Sequence, residues 1–394
     1  MTALDKQGVA ASKHGVILVL AAIMPTMAII SLVPVLPLFM KEFAYIEGAE
    51  FLVPMAMTIP ALCVALFSPI AGWLSDRVGR KPVLLTALII YAFIGLAPFF
   101  LTNLFHIILS RVVLGMAEAA IMTVATALIA DYYTGKARQR WVTIQIASVS
   151  ISAIVLIACG GILGELLGSR GPFLLYILAL PIALLVHRVL FEPSASSKNT
   201  ASDVRTPWRD ILPILITTLF VGVIFYTIIV KLGEILALSA EVSPGVIGGI
   251  GAAANIGVAL GSIAFKKAKG LTGPALIAGG LILATLGYVG AAVSTSLVMT
   301  SVSVVIACLG FGLLLPTTLN WVLKVLPVNV RGKGTGLWTG AFFLGQFSAP
   351  ILVTLLQVEF GGLYNVLMLF ATLAFLAALL ALVKTKHAQP LVAK

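Results

Sequence analysis

The 394-residue sequence contains very little charge: Asp, Glu, Lys and Arg make up 10% of it, whereas hydrophobic residues make up 60%. An ordinary soluble domain has about 25% charged residues, and a globule of this length could not cover its surface with so few. Intrinsic disorder is excluded too, because disordered chains are rich in charge and poor in apolar residues. These absences leave a protein that crosses a lipid bilayer several times.

Patterns that hold metals or perform catalysis are also lacking. The cysteines Cys63, Cys159 and Cys308 lie singly in apolar runs, and the four histidines have no metal-ligand spacing, so we expect neither a disulfide framework nor a metal site. No Gly-rich Walker loop is present, which argues against ATP as the energy source. We therefore expect a protein that is not an enzyme and needs no cofactor.

Long apolar runs make up most of the sequence. A helix needs about 20 apolar residues to cross a bilayer, and the absence of period-two alternation argues against an outer-membrane barrel. The sequence predicts an all-α polytopic membrane protein with twelve transmembrane helices. They lie near 16–40, 51–73, 82–102, 105–131, 140–167, 171–191, 210–237, 244–266, 272–294, 297–321, 333–357 and 362–384.

Positive charge marks one side of these predicted helices. Most Lys and Arg residues, among them Lys136 and Arg140, fall in the even-numbered loops and the termini, whereas Glu42 and Glu241 fall in odd-numbered loops. Cytoplasmic loops carry the positive excess, so we expect both termini in the cytoplasm and the chain in a bacterial inner membrane. The net charge of +11 is then a topology signal, and no nucleic-acid partner is expected.

A polar, Ser-rich segment separates six apolar runs from six. We predict an N-terminal six-helix bundle over 1–191, a cytoplasmic linker over 192–209 and a C-terminal six-helix bundle over 210–394. Each half has a short basic loop after its second run and another after its fourth. Such internal repeats are common in secondary transporters.

The loop after the second run reads GWLSDRVGRKP over residues 72–82, and the fourth run contains Arg111-Val-Val-Leu-Gly115. Between the second and third of twelve helices, the first motif resembles the loop signature of the major facilitator superfamily, and the second resembles a family motif tied to proton coupling. The resemblance is greatest to the drug:proton antiporter branch. It implies two pseudo-symmetric bundles that rock around a central site. It also implies a latch that holds the outward-open state, formed by Gly72, Asp76, Arg77, Gly79, Arg80, Asp131 and Arg138.

The antiporter signature of the fifth helix is incomplete. Gly160 and Gly161 are present, but Leu156 and Ile157 stand where that signature has Gly-Pro. Export of small amphipathic compounds, driven by the proton gradient, is the leading prediction. The alternative is an importer or symporter of an organic anion, siderophore-like molecule or lysolipid; a membrane-embedded sensor or enzyme on this scaffold is a further class. In each transport case we expect a monomer whose partners are a small-molecule substrate and the lipid bilayer.

Two ionisable residues lie inside the fourth predicted helix, where such groups are costly and are functional candidates. Arg111 and Glu118 are seven residues apart, close to two turns, so they share a helix face about 10 Å apart along the axis. We expect both to face the cavity, with Glu118 taking up and releasing the coupling proton and Arg111 modulating it. The alternative is a static, hydrogen-bonded pair that orients helices.

Other polar and Met residues inside the predicted helices are weaker candidates. Lys231 and Glu234 share a face near the periplasmic mouth, as either a gate or a static ion pair. Close packing and interhelical hydrogen bonds compete with substrate contact as the explanation for the rest. The candidates for the substrate cavity are Met24, Met27, Met122, Tyr226, Lys231, Glu234, Asn255, Asn320 and Gln346.

Overall fold

The computed structural model describes residues 11–193, 208–268, 270–326 and 331–384, and these are almost entirely helical. Most of the predicted linker 192–209 lies outside the described residues, so the boundaries of the two bundles stay a prediction. The α-helices are α1 Ser12–Ile23, α2 Met27–Ile30, α3 Leu36–Glu42, α4 Ala49–Val78, α5 Arg80–Leu96, α6 Leu104–Tyr132, α7 Gly135–Leu167, α8 Ala179–Val189, α9 Trp208–Val230, α10 Leu232–Ala237, α11 Pro244–Lys267, α12 Gly273–Val293, α13 Leu297–Val325, α14 Arg331–Phe360 and α15 Leu363–Val383.

Eleven helical stretches of the described residues are long and apolar enough to cross a membrane. One of them, Gly135–Val189, has 55 residues, far more than one crossing needs. It reverses at Gly168, whose φ of +71° favours glycine, and continues as a 3₁₀ segment, Gly168–Leu178, that packs back on α7. This stretch therefore supplies two crossings, and the predicted polytopic all-α fold is confirmed.

The first crossing is broken instead of running as one helix. Between α1 and α3 it passes through the 3₁₀ turns Met24–Thr26 and Val33–Val35, because Pro25 and Pro34 lack the N–H that continues a helix. At the first of these turns the Tyr91 hydroxyl, on α5, donates to the Met24 carbonyl oxygen, which also accepts the Met27 N–H.

The second half has an equivalent hydrogen bond, here to a carbonyl inside a continuous helix. The Tyr288 hydroxyl, on α12, donates to the Ile224 carbonyl oxygen of α9. Tyr91 and Tyr288 lie on the third and ninth crossings, and their acceptors lie on the first and seventh. These two hydrogen bonds join corresponding crossings of the two halves, which supports the internal repeat indicated by the loops.

The seventh crossing bends at Lys231, between α9 and α10, whereas the sequence predicts one run over 210–237. The bend lies beside a tight contact, because a Cβ on Gly233 would lie 2.6 Å from Cγ of Pro37 in the first half.

The two faces of the molecule differ in charge. The basic face carries Lys13, Arg77, Arg80, Lys81, Lys136, Arg138, Arg140, Arg188, Arg209, Lys266, Lys267, Lys324 and Lys384. The acidic face carries Glu42, Glu47, Glu50, Glu165, Glu241 and Glu359, together with Lys41 and Arg170. The halves meet chiefly where α7 packs on α11 and α4 packs on α14.

Candidate functional site

A cavity of about 260 Å³ lies between the two halves. The broken first crossing, α6 and α7 form one wall, and α9 and α14 form the other. The volume is near the lower end of the range for small-molecule sites. Its lining consists of Ala22, Pro25, Thr26, Ile29, Ile30, Glu118, Met122, Thr126, Gln145, Val149, Tyr226, Phe342, Phe343 and Gln346.

The α6 side of the cavity is a stripe of residues at intervals of four: Glu118, Met122 and Thr126. Residues at this spacing lie one above the other on a helix. The Gln145 side-chain amide of α7 donates to the Thr126 hydroxyl at 3.0 Å. Thr126 and Gln145 are not among the residues predicted from the sequence, although the interval of four from Glu118 was a signal for Thr126.

Among the lining residues that the structure describes, Glu118 is the one carboxyl group, and none is Lys, Arg or His. Its side chain is buried, at 4% relative exposure, and its Oε2 has no hydrogen-bond partner among the described residues. A buried acceptor without a partner carries an energetic cost. The carboxyl group is therefore free to bind a proton or a ligand that enters the cavity.

Arg111 does not line the cavity, contrary to the expectation that it shares the cavity face with Glu118. It is 1% exposed, and its Nη2 donates to the Ala28 carbonyl oxygen at 2.8 Å and to the Tyr176 hydroxyl at 2.6 Å. Its guanidinium carbon lies 5.5 Å and 5.2 Å from the ring centroids of Phe173 and Tyr176. Arg111 thus holds the broken first crossing inside the first half.

Aromatic side chains form the opposite wall of the cavity. The ring centroids of Tyr226 of α9 and Phe342 of α14 are 5.5 Å apart. Phe343, the next residue of α14, also lines the cavity. Behind them, Trp338 stacks on Phe342 with an interplanar angle of 3°. We call Tyr226, Phe342 and Phe343 the aromatic wall; the sequence analysis identified Tyr226 and missed the two Phe residues.

Gln346 lies one turn beyond Phe342 on α14 and also lines the cavity. It is 3% exposed, and its Oε1 has no hydrogen-bond partner among the described residues. The cavity therefore contains two buried, unpartnered acceptors, Glu118 Oε2 from the first half and Gln346 Oε1 from the second.

The remaining cavity candidates lie elsewhere. Met24 and Met27 are buried in the core. The Asn255 and Asn320 amides donate to the carbonyl oxygens of Gly251 and Pro316, four residues earlier on their own helices, at 2.9 Å and 2.8 Å. Of the predicted set, the cavity lining includes Met122, Tyr226 and Gln346.

The loop-signature residues form a charged cluster on the basic face. Arg80 lies 3.5 Å from Asp76 and 2.7 Å from Asp131, whereas the Arg77 guanidinium stacks 4.2 Å above Trp73. Gly79, with φ of +111°, makes the turn between α4 and α5. Gly72 faces Thr123 with ordinary spacing, and Arg138 is exposed.

Glu192 is part of this cluster and was missed by the sequence analysis. Its two carboxylate oxygens each accept at 2.7 Å, from the backbone N–H groups of Arg80 and Lys81. These amides open α5, so Glu192 caps the start of that helix. No short-range pattern predicts a contact over more than a hundred residues.

The sequence matches the Major Facilitator Superfamily over residues 18–350. The chain belongs to this superfamily. Its loop signature, twelve crossings and central cavity are therefore features of a superfamily transporter, and the protein crosses the membrane several times.

Curated relatives of this superfamily member include drug resistance proteins. It is 26% identical to the class H tetracycline resistance protein of Pasteurella multocida over 229 residues, which cover 57% of this chain and 56% of that protein. It is 32% identical to the multi-drug resistance efflux pump PmrA of Streptococcus pneumoniae over 185 residues, covering 44% of this chain and 45% of the pump. The chain thus spans about half the length of the curated relatives it matches.

Solved structures of the superfamily share the fold over nearly the whole chain. A bacterial homologue of the human lysosomal transporter Spinster, inward-facing and unoccupied, superposes with a TM-score of 0.76 at 17% identity, covering 96% of this chain and 99% of that one. The human organic anion transporter MFSD10 gives 0.69 at 14% identity, covering 94% and 99%. At these identities the similarity concerns the fold.

In this superfamily member, the two halves meet closely near the acidic face. A Cβ on Gly161 of α7 would lie 2.7 Å from the Pro244 carbonyl oxygen of α11, so only glycine permits this approach. Glu165, one turn further along α7, accepts the Gly245 N–H at 2.8 Å. The Ser243 side chain at the start of α11 makes no cap of its own, so a carboxylate of one half caps a helix of the other.

Lys231 and Glu234 also lie toward the acidic face, outside the cavity lining. The Lys231 Nζ is 2.7 Å from a Glu234 carboxylate oxygen, and the other oxygen is 3.4 Å from the Gln357 amide. Lys231 is buried, and the neighbouring Gly233 packs on Pro37 of the first half. The pair therefore borders the contact between the halves.

Proposed function

We propose that this superfamily member exports small amphipathic compounds in exchange for protons. The observation that carries the proposal is the buried, unpartnered carboxyl group of Glu118, which faces the aromatic wall across the cavity between the halves. One carboxylate binds either a proton or the cationic group of a substrate, so the two compete for Glu118. The efflux stated in the name of the relative PmrA supports the same direction of transport.

The arrangement of the halves supports alternating access. They are joined near the acidic face by Gly161 and Glu165, so in the proposed cycle the cavity of this structure receives substrate from the basic face. Rocking of the two halves would then open the acidic face and expose Glu118 to a higher proton concentration. Protonation of Glu118 would release the substrate there.

The positive-inside rule places the basic face in the cytoplasm. We therefore propose a bacterial inner-membrane protein with both termini cytoplasmic, acting as a monomer within the lipid bilayer. The proton gradient supplies the energy, no cofactor takes part, and the protein is a transporter without enzymatic activity.

Uptake of an organic anion is less well supported. An anionic substrate needs a cationic partner, and among the described lining residues there is no Lys or Arg. Arg111 lies outside the lining and its Nη2 is bonded within the first half, although its Nε and Nη1 have no partner among the described residues; Lys231 is paired with Glu234. The geometry therefore favours a neutral or cationic substrate.

Everted membrane vesicles that contain the protein provide the test. Wild type should accumulate a lipophilic cationic dye when a proton gradient is imposed, and an uncoupler should abolish the accumulation. Glu118→Gln should abolish driven accumulation and weaken dye binding, because it removes the carboxylate that pairs with the cation. Glu241→Gln, the same change at an exposed carboxylate outside the cavity, is the matched control and should transport normally. Unchanged driven transport in Glu118→Gln would refute the proposal.

A further inference from the structure

We infer that the cavity selects cations that carry N–H donors, such as primary ammonium or amidinium groups, over quaternary ammonium groups. The inference rests on the proposed function, since it concerns the substrate of that same cavity. It adds Gln346 to the site as the residue that determines this specificity.

The inference starts from two acceptors that face the same cavity from opposite halves. Glu118 Oε2 and Gln346 Oε1 are both buried, and neither has a hydrogen-bond partner among the described residues. Buried polar atoms in proteins are nearly always hydrogen-bonded. Two such atoms without partners in one cavity indicate a ligand that supplies the missing donors.

The chemistry of the two groups defines the donor. An ionised carboxylate only accepts hydrogen bonds, and the amide oxygen of Gln346 also accepts. A ligand with two N–H groups on a positively charged nitrogen satisfies both oxygens and neutralises Glu118. A quaternary ammonium has no N–H group. Its methyl groups would contact both oxygens without donating a hydrogen bond to either.

The aromatic wall does not make this distinction. Tyr226 and Phe342 attract any cation placed over their rings, whether or not it carries N–H groups. The wall therefore contributes affinity to both kinds of ligand, and the difference between them depends on the two acceptors. Removal of one acceptor should thus change the preference between the ligands more than the affinity for the quaternary one.

The test measures binding of matched ligands to the purified full-length protein in lipid nanodiscs by titration calorimetry. The ligands are 1-naphthylmethylammonium, its N,N,N-trimethyl analogue and the uncharged 1-naphthylmethanol. Wild type should bind the primary ammonium about tenfold or more tightly than the trimethyl analogue, as expected when buried acceptors gain or lose their donors. The alcohol should bind more weakly than the primary ammonium.

Gln346→Met keeps a side chain of similar shape and removes the acceptor. It should lose most of the preference while binding the trimethyl analogue as wild type does, which also shows that the variant is folded. Gln139→Met is the matched control, because Gln139 is exposed and lies outside this cavity; it should keep the full preference.

Three results would overturn the inference: equal or tighter binding of the trimethyl analogue by wild type, equal binding of the alcohol, or a preference that survives Gln346→Met. Proton-driven dye uptake without this preference would refute the inference and leave the proposed function standing. The preference without driven uptake would support the inference and refute the proposed function.

Discussion

The carboxylate of Glu165 offers a direct way to test the proposed balance between two arrangements of the halves. It caps α11 across the interface, through the Gly245 N–H at 2.8 Å, and in the proposed cycle this bond is lost when the acidic face opens. Loss of a helix cap costs roughly 0.5–2 kcal/mol, and exposure of Glu165 to solvent places it near the middle of that range. We expect Glu165→Ala to destabilise the closed arrangement by about 1 kcal/mol, a change of about fivefold in the ratio of closed to open molecules.

Distances between spin labels on the acidic face can measure this ratio. Tyr45 and Val298 are exposed and belong to the first and second halves, so labels at these positions, with the native cysteines replaced, report on the separation of the halves. Glu165→Ala should enlarge the long-distance population about fivefold, and Glu165→Gln, which keeps an acceptor without the charge, should have a smaller effect. Glu241→Ala, on the same face, is the control. An unchanged distribution in Glu165→Ala, or a shift toward short distances, would show that the cap does not hold the halves together.

Two further predictions concern Arg111 and Glu192. Arg111→Leu leaves the Ala28 carbonyl oxygen and the Tyr176 hydroxyl without their donor. Thermal unfolding should therefore show a free energy of unfolding lower by about 1–3 kcal/mol, while the folded fraction keeps its ligand affinity. A large fall in affinity without destabilisation would place Arg111 in the cavity after all. Glu192→Ala removes the acceptor of two amides at the start of α5. Hydrogen exchange at Arg80 and Lys81 should therefore accelerate about fivefold, as expected for a lost cap of about 1 kcal/mol, while exchange in the middle of α6 is unchanged. Equal exchange rates at Arg80 in wild type and variant would contradict the capping role.

Much of the fold is predictable from the sequence because the bilayer imposes a single length scale on every crossing. Apolar runs and basic loops therefore predict the number and direction of the helices. The breaks within crossings depend on tertiary contacts. The bend at Lys231, for example, lies beside the contact between Gly233 and Pro37. The local sequence around either residue does not predict this contact.

The site was only partly predictable, for a geometric reason. Helix periodicity places Arg111 and Glu118 on one face of α6, but the neighbours of that face change with depth. At Glu118 the face borders the cavity, whereas nearer the acidic face Tyr176 and the broken first crossing cover Arg111. Helix periodicity predicts the direction in which a side chain points around the helix axis. It does not predict which neighbouring element packs against each turn.

The paired hydrogen bonds of Tyr91 and Tyr288 have a consequence for inhibitor design. Each bond lies within one half and fixes a crossing that lines the cavity, at Met24 in one case and at Ile224 in the other. We therefore expect each wall to keep its shape when the halves move. A compound that touches one such wall only would then have equal affinity for both arrangements and shift no population, however tightly it binds. Compounds that arrest the cycle must span both walls.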